Sequence, residues 1–126
     1  MADSQERHYS ADARSTDTIG RVLCSARNHH FVIDGPPQAG FPGEALGPGE
    51  VFLAGIASCG VELVQALARD DKLPLERVKV DINGMMDRAN PVRSDVSLFN
   101  RIELQFELAG VTQADGESLI GRFREK

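Results

Sequence analysis

The sequence predicts an α+β fold in which antiparallel strands pack on one long, buried central helix. Three observations predict it. Two late segments, 76–83 and 99–109, alternate apolar and polar residues with a period of two. A shorter alternating run, 21–27, precedes a tight reversal and a second apolar run, 30–34. Between these regions lies the longest apolar segment of the chain, 47–70, and it is patterned for a helix.

That segment reads GPGEVFLAGIASCGVELVQALARD. Pro48 suits a first helical turn, where its missing N–H is no loss. Leu, Ala and Glu are good helix formers and dominate the remainder. Spacings of three and four place Phe52, Ile56, Cys59, Leu63 and Ala66 on one stripe. Val51, Ala54, Val61, Val64 and Leu67 extend apolar cover round most of the circumference, so the helix is expected to be buried on several sides. Glu50, Glu62 and Gln65 interrupt it too often for a membrane span.

Cys59 sits at the middle of this helix within Ala57-Ser58-Cys59-Gly60, with Gly55 one turn earlier. A helical glycine costs about 1 kcal/mol against alanine, so two of them need a reason. Small neighbours allow another backbone or a ligand to approach the sulfur. The competing reading is a free thiol packed in the core, the common fate of cysteine.

Composition limits the function classes. A chain of 126 residues with 41% hydrophobic and 26% charged residues is expected to form one globular domain. Residues 1–6 form a flexible N-terminus in this reading and 7–126 the domain. The net charge of −5 argues against nucleic acid or an anionic membrane as partner. The start, MADSQERHYS, has no signal-peptide pattern, and two cysteines without a secretory context favour a reduced, cytoplasmic setting. CxxC, HExxH and GxGxxG are all missing, so no metal or dinucleotide cofactor is expected.

In chain order, a first strand is expected over 7–14, with Tyr9, Ala11 and Ala13 on one face. Over 21–27, Val22, Cys24 and Ala26 alternate with Arg21, Leu23, Ser25 and Arg27. Asn28-His29 forms the reversal, and Gly35-Pro36-Pro37 stops the next strand. A glycine-rich loop delivers the chain to the helix. Val78, Val80 and Ile82 face inward on one later strand, and Ile102, Leu104, Phe106 and Leu108 on the other, as in an antiparallel sheet with one solvated face. The connector between them, 84–98, is long enough to suggest a functional role or a partner chain. A final helix starts near Thr112, with Asp115 as its cap and Leu119, Ile120 and Phe123 as its apolar face. The pattern stops inside this helix at Lys126.

This order of elements resembles the OsmC/Ohr family of thiol peroxidases, over roughly residues 7–126. The most specific part is Pro48-Gly49-Glu50-Val51-Phe52-Leu53-Ala54-Gly55-Ile56-Ala57-Ser58-Cys59, which is similar to the family's run of proline, acid, apolar residues and cysteine. Arg27-Asn28-His29-His30-Phe31-Val32-Ile33-Asp34 resembles a feature of some members of the wider group. The resemblance implies an intertwined homodimer with its site at the subunit interface. It implies organic hydroperoxide as substrate and a small thiol or a lipoyl protein as reductant. Cys59 would be the peroxide-reducing thiol, and Glu50 and an arginine from the opening strands would hold its thiolate. The best-known branch carries the acid one residue earlier, where this chain has Gly49.

The chemistry makes a demand of its own. A thiolate is the nucleophile, and a free thiol with pKa about 8.5 is mostly protonated at neutral pH. Cys59 is about 16 Å from the helix start, beyond reach of the helix dipole. Glu62, one turn on, raises a thiol pKa rather than lowering it. A cation from elsewhere is required. The candidates are Arg14, Arg21, Arg27, His29 and His30, with Arg21 favoured because it follows a turn glycine. Each is otherwise an ordinary solvated charge, and two adjacent strand histidines point to opposite faces, which rules out one simple metal site.

One departure matters. The resemblance places a resolving cysteine in the last helix, and none occurs there. The second cysteine, Cys24, reads as a packed core thiol. Either the sequence is cut short before the resolving residue, or an external thiol does that work. Two other readings stand beside the peroxidase: a redox-inactive binding or assembly protein with an apolar interface cleft, and a fragment whose last helix cannot pack.

Overall fold

A computed structural model of the chain describes residues 6–92 and 99–124. The elements are β1 (Asp12–Ser15), β2 (Arg21–Ala26), β3 (His29–Asp34), a short 3-10 turn (Pro37–Ala39), α1 (Pro48–Asp70), β4 (Arg77–Met85), β5 (Arg101–Ala109) and α2 (Gln113–Arg124). This is the expected α+β class, with antiparallel strands and one long helix. Packing divides the chain into two compact units, Met1–Val51 and Phe52–Lys126. Residues 1–5 of the expected flexible start, and the last two residues on which the truncated-helix expectation rests, lie outside the described residues.

The first unit is the antiparallel sheet β1-β2-β3. The first strand is shorter than expected: it begins at Asp12, and Tyr9 is exposed. Arg27 and Asn28, with φ of 50° and 67°, make the reversal between β2 and β3. Two consecutive left-handed residues match the right-handed twist of a hairpin. The expected turn at Asn28-His29 is therefore corrected by one residue. The register pairs Arg21 with Asp34, Cys24 with Phe31, and Ser25 with His30. Cys24 is buried, as expected for a packed thiol. Phe41 lies against Gly20 and Gly35, where a Cβ would collide with its ring, and Gly20 also takes a φ of +89°.

The second unit holds most of α1, the hairpin-paired β4 and β5, and α2. Val78 pairs with Leu108, Val80 with Phe106 and Ile82 with Leu104, so the apolar residues share one face as the alternation predicts. Val64, Ala68 and Leu119 form the core, with Leu67, Leu73, Val78, Phe106 and Phe123 packed around them. Phe106 and Phe123 meet edge to face at 5.3 Å between centroids.

Two expectations change in this unit. α1 is buried along one side rather than several, and the buried residues are Gly60, Val64 and Ala68. The expected stripe of Phe52, Ile56, Cys59, Leu63 and Ala66 is rotated by about one residue, or 100°; Phe52 and Cys59 are exposed. A helix apolar on nearly every face carries no periodic signal to say which face meets the strands. The cap of α2 is Thr112, whose hydroxyl accepts the Asp115 N–H at 3.1 Å. Asp115 lies in the first turn, where its charge suits the helix dipole.

The expected connector is shorter at its start, since Gly84 and Met85 belong to β4. Its described part is knitted by side chains: Asp87 accepts bonds from the Ala89 N–H and the Asn90 amide, and Asn100 accepts the Asp87 N–H. Residues 93–98 lie outside the described residues.

Candidate active site

Cys59 lies a little over two turns before the end of α1's core-facing run and points away from that core. Positions 52, 55, 59 and 62 are all exposed, so the thiol shares an open stripe with Phe52, Gly55 and Glu62. At Gly55, no atom of the described residues beyond the helix's own backbone and the two chain neighbours lies within 4 Å of where a Cβ would stand. Phe52, two turns before the sulfur, stacks on Phe99 at 5.8 Å and 12° between planes. The Ser58 hydroxyl donates to the Gly55 carbonyl at 2.9 Å, so it is spent on the helix. The competing reading, a thiol packed in the core of the chain, does not hold, since Cys59 is exposed.

The two glycines prove to have different uses. Gly55 leaves open surface one turn from the thiol. Gly60 admits the edges of Phe106 and Phe123, whose ring carbons lie 3.4–3.5 Å from the point a Cβ would occupy.

Arg21 opens β2 and sits in a network of charge-assisted hydrogen bonds. Nε and Nη2 donate to the two oxygens of Asp34 at 2.8 and 2.9 Å, a bidentate pair. Nη2 also donates to Glu44 at 3.1 Å. Asp34 has a fully buried carboxylate, and the arginine is 32% exposed. The Asp34 oxygen that takes Nη2 also accepts the backbone N–H of Glu44 and Ala45, at 3.0 and 2.8 Å. Bonding to Arg21, aided by these N–H groups, holds the Asp34 carboxyl well below the usual carboxylate range. The same bonds, first to Asp34 and then to Glu44, raise the Arg21 pKa above its ordinary value.

Glu50 lies in the first turn of α1 and accepts the Gly47 N–H at 2.9 Å. That is the back-reaching half of a capping box, and the charge favours the helix dipole. Within the first unit, Arg21 is bonded to Asp34 and Glu44 and not to Glu50. Arg14 is exposed on β1, and Arg27 stands in the β2–β3 turn. His29 and His30 alternate on β3, and the His30 Nδ1 lies 2.7 Å from the Ser25 hydroxyl. Among the described residues, no group of three or more His, Cys, Asp or Glu is placed to hold a metal ion.

Sequence reasoning missed Asp34 and Glu44. The signal for Asp34 was present: a two-residue turn at Arg27-Asn28 sets it opposite Arg21. No pattern announced Glu44, which reaches Arg21 from a loop.

A cavity of about 500 Å³ in the second unit is lined by Ala66, Arg69, Leu73, Leu75 and Val78 and does not include Cys59. By length and composition alone, α1 is apolar enough to cross a membrane, although its buried residues are those that form the core with α2.

Comparison with known proteins gives the context. The sequence matches none of the curated proteins it was compared with. Among solved structures, it is similar to an OsmC-like protein from Mycoplasma pneumoniae, with a TM-score of 0.81 and 15% identity over 97% of this chain and 84% of that one. An organic hydroperoxide resistance protein OsmC from Legionella pneumophila gives 0.74 and 22%, covering 97% and 85%. An organic hydroperoxide resistance protein from Elizabethkingia anophelis gives 0.76 and 16%, covering 98% and 85%. At these identities the likeness is one of fold. The sequence profile of the OsmC-like proteins matches residues 41–125, which is more than half of the chain and spans α1 with Cys59, both late strands and all of α2; the chain belongs to the OsmC-like protein family.

Proposed function

We propose that the protein is a thiol-dependent peroxidase that reduces organic hydroperoxides, with Cys59 as nucleophile, Arg21 as the cation that stabilises its thiolate, and Glu50 as the acid that helps to hold that cation. The observation that carries the reading is the placement of Cys59: an exposed thiol on the family's helix, beside an open glycine and two turns from a stacked aromatic pair.

The sulfur anion attacks the terminal peroxide oxygen. An S–O bond forms as the O–O bond breaks, and the alkoxide leaves and takes a proton to become the alcohol. Cys59 is then a sulfenic acid. A thiol of the reductant, a small thiol or a dihydrolipoyl group, attacks that sulfur and releases water. A second thiol of the reductant displaces the mixed disulfide and restores Cys59. Cys24 is buried, which favours an external thiol over Cys24 as the resolving group.

The working form in this proposal is a cytoplasmic homodimer. Support comes from large apolar side chains left exposed in each unit by itself: Phe31, Val32 and Leu46 in the first, and Phe52, at 55%, and Met85 in the second. The alternative is a redox-inactive binding or assembly protein with an apolar interface cleft, in which Cys59 is inert and its alkylation follows an ordinary thiol's pH dependence.

The test is consumption of cumene hydroperoxide with dithiothreitol or dihydrolipoate as reductant. Wild-type protein is expected to turn over, and Cys59→Ser to lose activity. A serine variant that matches wild type rejects the mechanism.

A further inference from the structure

Asp34 is more than a buried counter-ion. We infer that Asp34 is a positioning residue for Arg21, fixing which edge of the guanidinium is free to act; the inference rests on the proposed role of Arg21 in the peroxidase reaction.

The geometry is specific. The bidentate pair occupies Nε and one Nη2 hydrogen, and Glu44 takes the other. Nη1 is left as the edge with no hydrogen bond among the described residues. The backbone of Arg21 is held as well: its N–H donates to the Thr18 carbonyl, and its own carbonyl accepts the Thr16 hydroxyl at 2.9 Å. With backbone and fork both fixed, the side chain has one orientation to offer.

Asp34 also organises the approach to α1. Its carboxylate accepts the N–H groups of Glu44 and Ala45, and its own N–H donates to the Leu46 carbonyl at 3.0 Å. The next residue, Gly47, donates to Glu50. One buried carboxylate thus sets the guanidinium directly, and through residues 44–47 the stretch that carries Glu50. Two of the three proposed charged or nucleophilic groups are referenced to it.

A positional role separates from a purely structural one by an isosteric change. In Asp34→Asn, the amide oxygen can still accept the Glu44 and Ala45 N–H groups. Its NH₂ then faces the Arg21 Nε–H, donor against donor, and the fork is lost. The backbone frame survives and the arginine is released. A misplaced catalytic group reduces rate by about tenfold to a hundredfold.

The experiment is a double-mutant cycle on Asp34→Asn and Arg21→Ala, read as kcat/KM for cumene hydroperoxide and as the pH midpoint of Cys59 alkylation by iodoacetamide. Each single variant is expected to lose about tenfold or more in kcat/KM and to raise the alkylation midpoint. The double variant is expected to be no worse than Arg21→Ala, because Asp34 acts through that residue. Losses that multiply in the double variant overturn the inference, as does wild-type turnover in either single variant. Should Asp34→Asn fail to melt cooperatively, Arg21→Lys takes its place: it keeps the charge and cannot make the fork, so full activity there overturns the inference. Cys59→Ser separates the two ideas. An active serine variant rejects the peroxidase itself, whereas an inactive one beside a fully active Asp34→Asn rejects the positioning alone.

Discussion

Replacing Gly60 by alanine tests how α1 meets the strands. In the second unit, a Cβ at this position would stand 3.4 Å from Cε1 and Cζ of Phe106 and 3.5 Å from Cζ of Phe123. These are contacts at the tight end of the ordinary range, not collisions. Alanine gains about 1 kcal/mol over glycine in a helix interior. Burial of the added methyl contributes up to about 0.8 kcal/mol more, offset by the small retreat of two aromatic edges from their edge-to-face contact. The expected result is a net gain of about 1 kcal/mol, or a few degrees in Tm for a chain of this size. Gly55→Ala is the reference, since no neighbour among the described residues lies within 4 Å of that site and its gain reports propensity. Urea unfolding of both variants gives the midpoint and the slope, and an unchanged slope licenses the comparison. If Gly60→Ala falls below wild type by more than about 1 kcal/mol while Gly55→Ala gains, the aromatic edges cannot yield. Overpacking has then outweighed propensity, which refutes the expected balance.

Two further results are expected. Thr112→Ala should destabilise the protein by about 1 kcal/mol, because the hydroxyl caps α2, whereas Asp115→Ala removes only a first-turn charge and should cost a few tenths; chemical denaturation that reverses this order would reinstate Asp115 as the cap. Asp34 titrates below an unfolded carboxylate, whose value is about 3.9, so its ionised form stabilises the fold above that pH and the contribution fades as pH falls through the lower folded value. The stability gap between wild type and Asp34→Asn should therefore be full at neutral pH and shrink steadily below about pH 4; a gap that closes between pH 8 and 6 would assign it to another group.

The parts of the fold that are legible in the sequence share one property: one face of the element is wet. β4 and β5 alternate because each presents one face to water, and the alternation identifies the inward residues from Val78 to Ile82 and from Ile102 to Leu108. The family is legible from the run that ends in Cys59, although the buried partner of Arg21 is not. A turn placed one residue late keeps every side chain of the hairpin on its proper face and still changes the partners: Arg21 moves from opposite Pro36 to opposite Asp34. Face is a matter of parity, whereas partnership needs the turn itself, and Arg27-Asn28 lacks the glycine that marks such turns most clearly. α1 fails for the opposite reason. Its pattern is too apolar to orient, so the sequence admits any face as the buried one, and the side chains that fill the space beside Gly60, Val64 and Ala68, from β4, β5, α2 and the stretch after α1, decide it. That choice turns Cys59 outward. The outward placement of the thiol thus follows from residues far from it in sequence, Phe106 and Phe123 among them, which occupy the opposite side of the helix.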